Sequence, residues 1–236
     1  MAINTKLGDS NQNSYIGVSQ ADTYFGVRRN VSNWTSLTAT NKEIVLQQAA
    51  RDIDRFRFYG EKYYDSQGLK FPRDDHEIVT GNCSTPITAT SFKNSNLYST
   101  TYNAMPDNYW KYGSIHITVG TPIRDTRDIK SSSAVDGTVV ASPDFSSTPT
   151  TNSQFIIFKP VYKEVMDAQC EQALYILDNA KLESLTEYRD LGAETIKIGD
   201  AVVVFKEGGF SSLALSPTAK KLLSKFIQKS LTVQRA

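Results

Sequence analysis

Residues 74–154 constrain the fold most strongly, because no amphipathic helix fits into them. This segment holds 25 Ser or Thr and five of the eight prolines, and proline is excluded from helix interiors. Short alternating runs occur instead at 114–119 and 137–140, as in half-buried strands. Disordered chains are poor in aromatic residues, whereas this segment contains Phe92, Tyr98, Tyr102, Tyr109, Trp110 and Tyr112. We therefore predict a small β-rich lobe inserted at 74–154.

The preceding zone, 1–73, is helix-like. Ser19 predicts the cap of a helix of about ten residues, with Asp22 in the reciprocal position. A second helix is predicted from about Asn41 to Phe58, capped by Thr38 or Thr40. Its apolar residues keep the three-and-four spacing of one buried stripe: Leu46, Ala49, Ala50, Ile53 and Phe56.

The last zone, 155–236, is helix-like with one hairpin. Pro160 favours the start of a helix, and the longest apolar stripe in the chain follows it, from Tyr162 to Ala180, with Leu174 on the same helix. Gly199-Asp200 between two β-rich runs, 195–198 and 201–205, predicts a tight hairpin. Ser216-Pro217 predicts a final helix that runs to about Lys229. Residues 1–73 and 155–236 thus predict a helical core, and the whole chain is expected to be mainly α: a small helical bundle with a β-hairpin, plus the inserted lobe.

Charge and cysteine content exclude several classes of protein. The formal charge is +1, from 26 basic and 25 acidic residues, which argues against coating nucleic acid through bulk charge. Cys83 and Cys170 lie far apart, outside any CxxC pattern, so neither a zinc site nor a disulfide framework is expected. The sequence shows no signal peptide and no apolar run long enough for a membrane span. We predict an intracellular, soluble product without membrane contact.

Catalytic motifs are missing from the sequence. His76 lies in Asp74-Asp75-His76-Glu77, which admits a metal-binding turn but favours a solvated one, because four consecutive side chains point in different directions. His116 falls in an alternating run and is expected to be a surface or cross-strand residue. Nucleophile-elbow, phosphate-loop and zinc-protease patterns do not occur. The sequence therefore predicts a protein that is not an enzyme and uses no cofactor or metal.

The C-terminal stretch is basic. From Ser216 onward there are five basic residues and no acid: Lys220, Lys221, Lys225, Lys229 and Arg235. Three of the lysines keep the four-residue spacing of one helix face. Two interpretations remain open: stabilisation of a helix C-terminus, or attraction to an acidic partner or DNA phosphates.

Ordered motifs in the two helix-like zones resemble a family of phage head-completion proteins, the head–tail connectors or adaptors, some of whose relatives are called DnaT-like single-strand-DNA-binding proteins. The resemblance is carried by 13–15 and Ser19-Gln20-Ala21-Asp22-Thr23-Tyr24-Phe25, then Trp34, 47–54, 58–61 and 67–73. Further along it continues through Pro160-Val161, the helix with Ala168, Glu171, Gln172, Ala173 and Leu174, the hairpin at 196–205, Leu215-Ser216-Pro217 and Leu222-Leu223. The long segment 74–154 departs from that family, which has a short link there.

The resemblance implies a homo-oligomeric ring, normally of twelve copies, under the portal of a tailed phage. Such a ring extends the DNA channel, lets DNA pass without sequence-specific binding, and offers a platform to tail, nozzle or stopper proteins. By analogy Lys225, Lys229 and Arg235 would contact the portal protein. The implied location is the head–tail interface of the virion, and the host cytoplasm during assembly.

Two other functions remain open from the sequence. The runner-up is a single-stranded-DNA-binding module of a phage, in which aromatic side chains stack on bases beside a basic groove. Residues 74–154 carry eight acids against five bases, which weakens this alternative because phosphates are repelled there. An enzyme that uses the turn at 74–77 is the third alternative.

Overall fold

The computed structural model describes residues 2–98, 105–179, 195–198, 201–204 and 215–228 of the chain. The chain divides into two compact units, each built from separate segments. The helical unit comprises Met1–Ile3, Ile16–Phe58 and Glu164–Ala236, and the sheet unit comprises Asn4–Tyr15 and Tyr59–Lys163.

The α-helices among the described residues are α1 (Val18–Phe25), α2 (Ser32–Thr35), α3 (Ala39–Asp54), α4 (Lys163–Asp178) and α5 (Pro217–Leu223). The strands are β1 (Ile78–Asn82), β2 (Ser91–Lys93), β3 (Ser114–Val119), β4 (Thr126–Ser132), β5 (Thr138–Ser142), β6 (Gln154–Phe158), β7 (Thr195–Ile198) and β8 (Ala201–Val204). A short 3₁₀-helix covers Ser95–Leu97.

Helix α3 confirms four of the five residues of the predicted stripe, whereas Phe56 lies beyond the end of the helix and is only partly buried. The hydroxyl of Thr38 accepts a hydrogen bond from the Asn41 backbone N–H at 3.3 Å, which satisfies one of the free donors at the helix start. The helix ends at Asp54, earlier than the predicted Phe58. Its buried face contains Leu46, Ala49, Ala50 and Ile53.

The core of the helical unit combines that stripe with α1, α2 and α4. Trp34 is 1% exposed, and its ring centroid lies 4.7 Å from that of Phe25. Helix α4 contributes the predicted apolar face and a buried Gln169, whose Nε2 donates to the Leu46 carbonyl at 2.8 Å. The cluster consists of Ile16, Ala21, Phe25, Trp34, Leu46, Ala49, Cys170, Ala173, Leu174 and Ile176.

The start of α1 differs from the prediction. The cap residue is Gly17 rather than Ser19, and the Gln20 Oε1 accepts a hydrogen bond from the Gly17 N–H at 2.9 Å. Asp22 instead accepts hydrogen bonds from Trp34 Nε1 at 2.8 Å and Lys42 Nζ at 2.7 Å. Burial by itself would raise the pKa of Asp22, but these two donors lower it. Asp22 therefore orients the buried tryptophan instead of closing the helix.

The predicted hairpin near the C-terminus is confirmed. Strands β7 and β8 pair antiparallel, from Thr195 opposite Val204 to Ile198 opposite Ala201. Helix α5 also begins as predicted, with the hydroxyl of Ser216 accepting from the Ala219 N–H.

The sheet unit is built round a six-stranded antiparallel sheet in the order β1-β6-β3-β4-β5-β2. Strand β6 pairs with both β1 and β3, so that Ile157 lies opposite Val79 on one side and Ile115 on the other. The chain beyond β1 reaches β2 through Ser84, whose backbone exchanges hydrogen bonds of 2.8 and 3.0 Å with that of Lys93. The sheet is therefore curled, and this backbone bridge connects its two edges.

Alternation along the strands fills one face of the curled sheet with apolar side chains. Ile115 and Ile117 of β3 are at most 1% exposed, as the alternating run 114–119 predicts. Trp110 is fully buried, and its Nε1 donates to the Leu97 carbonyl at 3.2 Å. The full cluster consists of Cys83, Phe92, Leu97, Trp110, Ile115, Ile117, Ile129, Val139, Ala141, Phe145, Phe155 and Ile157.

The sheet unit is larger than the predicted lobe 74–154. It takes in β6, and it also includes 4–15 and 59–73 from the first zone. The N-terminal segment is held by side chains of β3: the Leu7 N–H donates to Ser114 Oγ at 2.7 Å, and the Leu7 carbonyl lies 2.6 Å from His116 Nε2.

The expected fold class, mainly α, is wrong. The chain is mixed, with 29% helical and 19% strand residues and a six-stranded antiparallel sheet. The physical reason is that β6, most of which was assigned to the helical core, pairs with β1 and β3. Its side chains Phe155 and Ile157 pack in the apolar core of the sheet. Helices α1, α3 and α5 are also shorter than their sequence patterns suggest.

Truncation of Ile53 or Leu174 to Ala is expected to lower the free energy of unfolding by about 2–5 kcal/mol, because a buried side chain leaves a cavity. The two side chains are 0% and 4% exposed. Ile44→Ala is the matched control on α3, since Ile44 is 52% exposed and its loss should change stability by less than about 0.5 kcal/mol. Urea denaturation followed by circular dichroism measures the difference. Equal effects at Ile44 and Ile53 would contradict the orientation of α3.

Candidate functional site

Residues that carry the family resemblance meet in the helical unit. The Tyr24 hydroxyl donates to Glu171 Oε1 at 2.7 Å, and Arg28 donates to the same carboxylate through Nε at 2.8 Å and a second nitrogen at 3.2 Å. The hydrogen bond from Arg28 lowers the pKa of Glu171, against an opposing effect of burial. Glu171 is 5% exposed. This carboxylate connects α1 to α4, so the motif has a structural role here.

A second buried side chain, Gln172, connects α3, α4 and α5. Its Nε2 donates to Asp52 Oδ2 at 3.0 Å, and its Oε1 accepts from the Ser216 N–H at 2.8 Å. The side chain is 2% exposed, so water does not replace these partners. The start of α5 is therefore fixed in position by a polar contact.

The predicted helical face does not continue from Lys221 to Lys225. Helix α5 ends at Leu223, so Lys225 lies in the turn that follows it. Lys225 Nζ pairs with Glu164 Oε1 at 2.5 Å, and the two side chains are 56% and 39% exposed. Such exposed pairs contribute little to stability, so Lys225 remains available to a partner carboxylate.

The chain after α5 is anchored to the residues that follow α3. Ile227 forms an antiparallel bridge with Phe58, and the Gln228 N–H donates to the Arg57 carbonyl at 2.8 Å. Lys229 and Arg235, the other two candidate portal contacts, lie outside the described residues.

The acidic turn at 74–77 does not assemble a metal site. His76 is buried, with Nε2 at 2.6 Å from the Lys159 carbonyl, and burial lowers its pKa. Glu77 instead accepts hydrogen bonds from Lys159 Nζ at 2.8 Å and from the Tyr109 hydroxyl at 2.7 Å. Across the described parts of the chain, His, Cys, Asp and Glu side chains form no group of three that is placed to hold a metal ion.

His116 is a cross-strand residue, as predicted. It lies opposite Thr126 of β4 and Ile156 of β6. Burial lowers its pKa, which keeps the imidazole neutral near pH 7.

Large aromatic side chains contribute to the cores more than to the surface. Trp34, Phe92 and Trp110 are at most 1% exposed and cannot stack on a nucleic-acid base without unfolding. Tyr59 and Tyr112 are more accessible, at 54% and 48% exposed. Lys111 Nζ lies 4.9 Å from the ring centroid of Tyr112.

Exposed aliphatic side chains lie at two loops of the sheet, and the sequence interpretation missed them. Val119, the last residue of β3, and Ile123, in the β3–β4 connection, are 47% and 63% exposed, and Val135, in the β4–β5 connection, is 84% exposed. Because β4 runs from one connection to the other, they lie at opposite ends of that strand. In the sequence, these residues could have been identified as aliphatic residues within a few positions of a turn glycine, Gly120 or Gly137. In the structure both glycines have positive φ.

None of the helices in the described ranges combines the length and the apolar composition needed to cross a membrane.

The pH dependence of stability should reveal the Glu171 contact. Because the folded-state pKa of Glu171 is lowered, its contribution is present above the unfolded value, about 4.3, and is lost as pH falls through the folded value. The stability difference between wild type and Glu171→Gln is therefore expected to be largest above about pH 5 and to shrink as pH falls below about 4. Urea denaturation at a series of pH values measures it. Glu43→Gln is the control, because Glu43 makes no ion pair with any described residue. A wild-type minus Glu171→Gln difference that stays constant with pH would contradict the assignment.

The start of the chain matches a known protein family. Residues 1–89 match the model of a family described as "Putative DnaT-like ssDNA binding protein". The match spans α1, α2, α3 and β1, and it covers well under half of the 236 residues. No curated protein matches the chain. The first 89 residues are thus similar to that DnaT-like family.

Proposed function

We propose that this chain is a structural adaptor that assembles as a ring under the portal of a tailed phage. In this role it extends the DNA channel and gives tail, nozzle or stopper proteins a platform at the head–tail interface of the virion. The proposal starts from the order of motifs along both helix-like zones. It involves no catalysis and no cofactor.

The observation that carries the proposal is the pair of exposed aliphatic loops on the sheet unit. Each copy in a ring meets its two neighbours through two different surfaces. Ile123 and Val135 lie at opposite ends of β4 and are 63% and 84% exposed. Burying an aliphatic side chain of this size stabilises an interface by about 1.5–3 kcal/mol. The loops therefore supply two distinct apolar contacts per copy.

The portal contact is proposed at the C-terminal segment, with Lys225, Lys229 and Arg235. The bridge between Ile227 and Phe58 fixes the point from which residues 229–236 continue. In this contact Lys225 replaces its exposed ion pair with Glu164 by an ion pair with a carboxylate of the portal. Losing the exposed pair costs little free energy.

A second candidate function, single-stranded-DNA binding, is favoured by the family match, whose description names that activity. Within the matched residues, Arg51 and Arg57 are exposed and form no ion pair with a described residue. These side chains are available for phosphate contacts. The burial of Trp34 counts against base stacking in this region.

Ring assembly is tested by mass photometry of the chain alone and mixed with a portal ring. We expect many copies per portal, and Ile123→Ser combined with Val135→Ser should reduce that number, since the apolar contacts between copies are lost. Val27→Ser, which removes a side chain that is 92% exposed in the helical unit, is the control. One copy per portal, or no binding, would exclude the adaptor.

Deletion of residues 230–236 is expected to lower portal occupancy while leaving the melting temperature nearly unchanged. If charge carries the contact, raising the salt concentration should reduce occupancy of the intact chain in the same way. Wild-type occupancy after the deletion would place the portal contact elsewhere.

Fluorescence anisotropy with a labelled oligothymidine tests the second function. Binding that weakens between 50 and 200 mM salt, as expected for about two or more phosphate contacts, and that is lost in Arg51→Ala combined with Arg57→Ala would establish it. Lys130→Ala on the sheet unit is the control. Absence of binding at micromolar protein would leave the adaptor as the better proposal.

A further inference from the structure

An open polar groove of 580 Å³ lies in the sheet unit. Its walls come from four segments: the loop 8–11, the pair Tyr64 and Ser66, the β3 residues 116–118, and Arg124 of the β3–β4 connection with Thr126 of β4. The volume falls within the range of small-ligand sites, about 300–1,000 Å³. Neither the proposed ring contacts nor the proposed DNA contacts use it.

The floor of the groove is aromatic and fixed. The Tyr64 and His116 rings lie with centroids 6.1 Å apart and planes inclined by 32°. The Gly8 backbone packs against both side chains, since a Cβ at this position would come within 3.2 Å of ring atoms of each. The φ of +78° at Gly8 also favours glycine. The groove is therefore preorganised by its own backbone.

The groove presents one cation and one anion that are not paired with each other. The side chain of Arg124 makes no hydrogen bond or ion pair with any described residue, whereas Arg127 pairs with Asp125 at 2.6 Å and Arg73 donates to backbone carbonyls. Asp9 accepts the Asn11 backbone N–H at 2.7 Å and likewise has no basic partner among the described residues.

The backbone of Arg124 is held in an unusual conformation. Its φ of 61° lies in the left-handed region, which is unfavourable for a residue with a side chain, and its N–H donates to the Ile117 carbonyl at 2.8 Å. Glycine would be more favourable there. Arginine at a position that favours glycine therefore points to a functional role for its side chain.

Uncommitted hydroxyl and amide groups complete the lining. The side chains of Ser10, Asn11, Ser66 and Thr126 line the groove and make no hydrogen bond with other described residues. Each of them both donates and accepts. The groove thus offers donors and acceptors in comparable number around an aromatic floor.

We propose that this groove binds a sugar ring of a neutral glycan. Vicinal hydroxyls of one ring donate to Asp9 and accept from Arg124, which suits a ligand that carries both functions on neighbouring atoms. The apolar C–H face of the ring packs on Tyr64. The inference is independent of the proposed adaptor role.

Charge balance favours a neutral ligand over a phosphate. The single guanidinium of Arg124 is offset by the carboxylate of Asp9, and His116 is neutral near pH 7. A multiply charged anion would need an excess of positive charge, which the groove does not provide.

The test uses the full chain and saturation-transfer difference NMR with the methyl glycosides of glucose, galactose, mannose and N-acetylglucosamine. At about 5 mM each, a site of millimolar affinity is largely occupied. We expect at least one glycoside to receive saturation, and its affinity to fall by about tenfold in Arg124→Gly, through loss of charged hydrogen bonds. Glycine suits the left-handed backbone at this position, so this variant should remain folded.

Asp9→Asn is the second variant, because its amide oxygen can still accept the Asn11 N–H, and Lys130→Ala, outside the groove, is the control. Loss of saturation in both groove variants, with the control unchanged, supports the site. The proposal is overturned if no glycoside receives saturation, if the signal persists in both groove variants, or if inorganic phosphate displaces the glycoside.

Discussion

The amide of Gln172 is the contact on which the helical unit depends. From α4, its Nε2 donates to Asp52 of α3 and its Oε1 accepts from the Ser216 backbone N–H at the start of α5. Losing this amide costs more than the hydrogen bond itself contributes, because the Ser216 backbone N–H would stay buried without a partner. The position of α5, and through it the bridge between Ile227 and Phe58, follows from this contact. The departure point of the C-terminal segment is thus determined by a buried side chain of α4.

Strand β6 has the corresponding role in the sheet unit. It pairs with β1 and β3, so it closes a segment whose two ends are about 75 residues apart in sequence. This pairing fixes the orientation of the β3–β4–β5 meander. Ile115 and Ile117 point into the core, while the connections at either end of β4 hold exposed aliphatic side chains. The same meander forms one wall of the polar groove. A stable sheet with a filled core is therefore the support for the loops, where ligand and partner contacts are expected.

Local patterns predicted what depends on neighbours within a few residues. The α3 stripe, the Thr38 and Ser216 caps and the β7–β8 hairpin all follow from periodicity or turn chemistry at short range. The prediction of the fold class is wrong because the pairing of β6 with β1 is a long-range contact, which local periodicity does not encode. The sequence pattern places the end of α5 too late, because Lys225 and Ile227 keep helical spacing. In the structure, the bridge of Ile227 to Phe58 and the ion pair of Lys225 with Glu164 favour a turn at these residues. The groove was not predictable either, since Asp9, Tyr64 and Arg124 come from distant segments.

The two candidate functions make opposite demands on the same side chains. A single-strand-binding surface needs aromatic rings in solvent beside positive charge, whereas a ring subunit needs its apolar surface at contacts between copies. In the described residues the tryptophans are buried and the most exposed large apolar side chains are aliphatic, Val27 and Val135 among them. Aliphatic side chains bury well against protein but cannot stack on bases. With Trp34 buried, DNA binding by the matched residues would rely mainly on phosphate contacts from exposed arginines such as Arg51 and Arg57, which confer affinity without sequence preference. Such contacts are equally compatible with DNA that only passes by, so the apolar loops distinguish the two functions more sharply than the charges do.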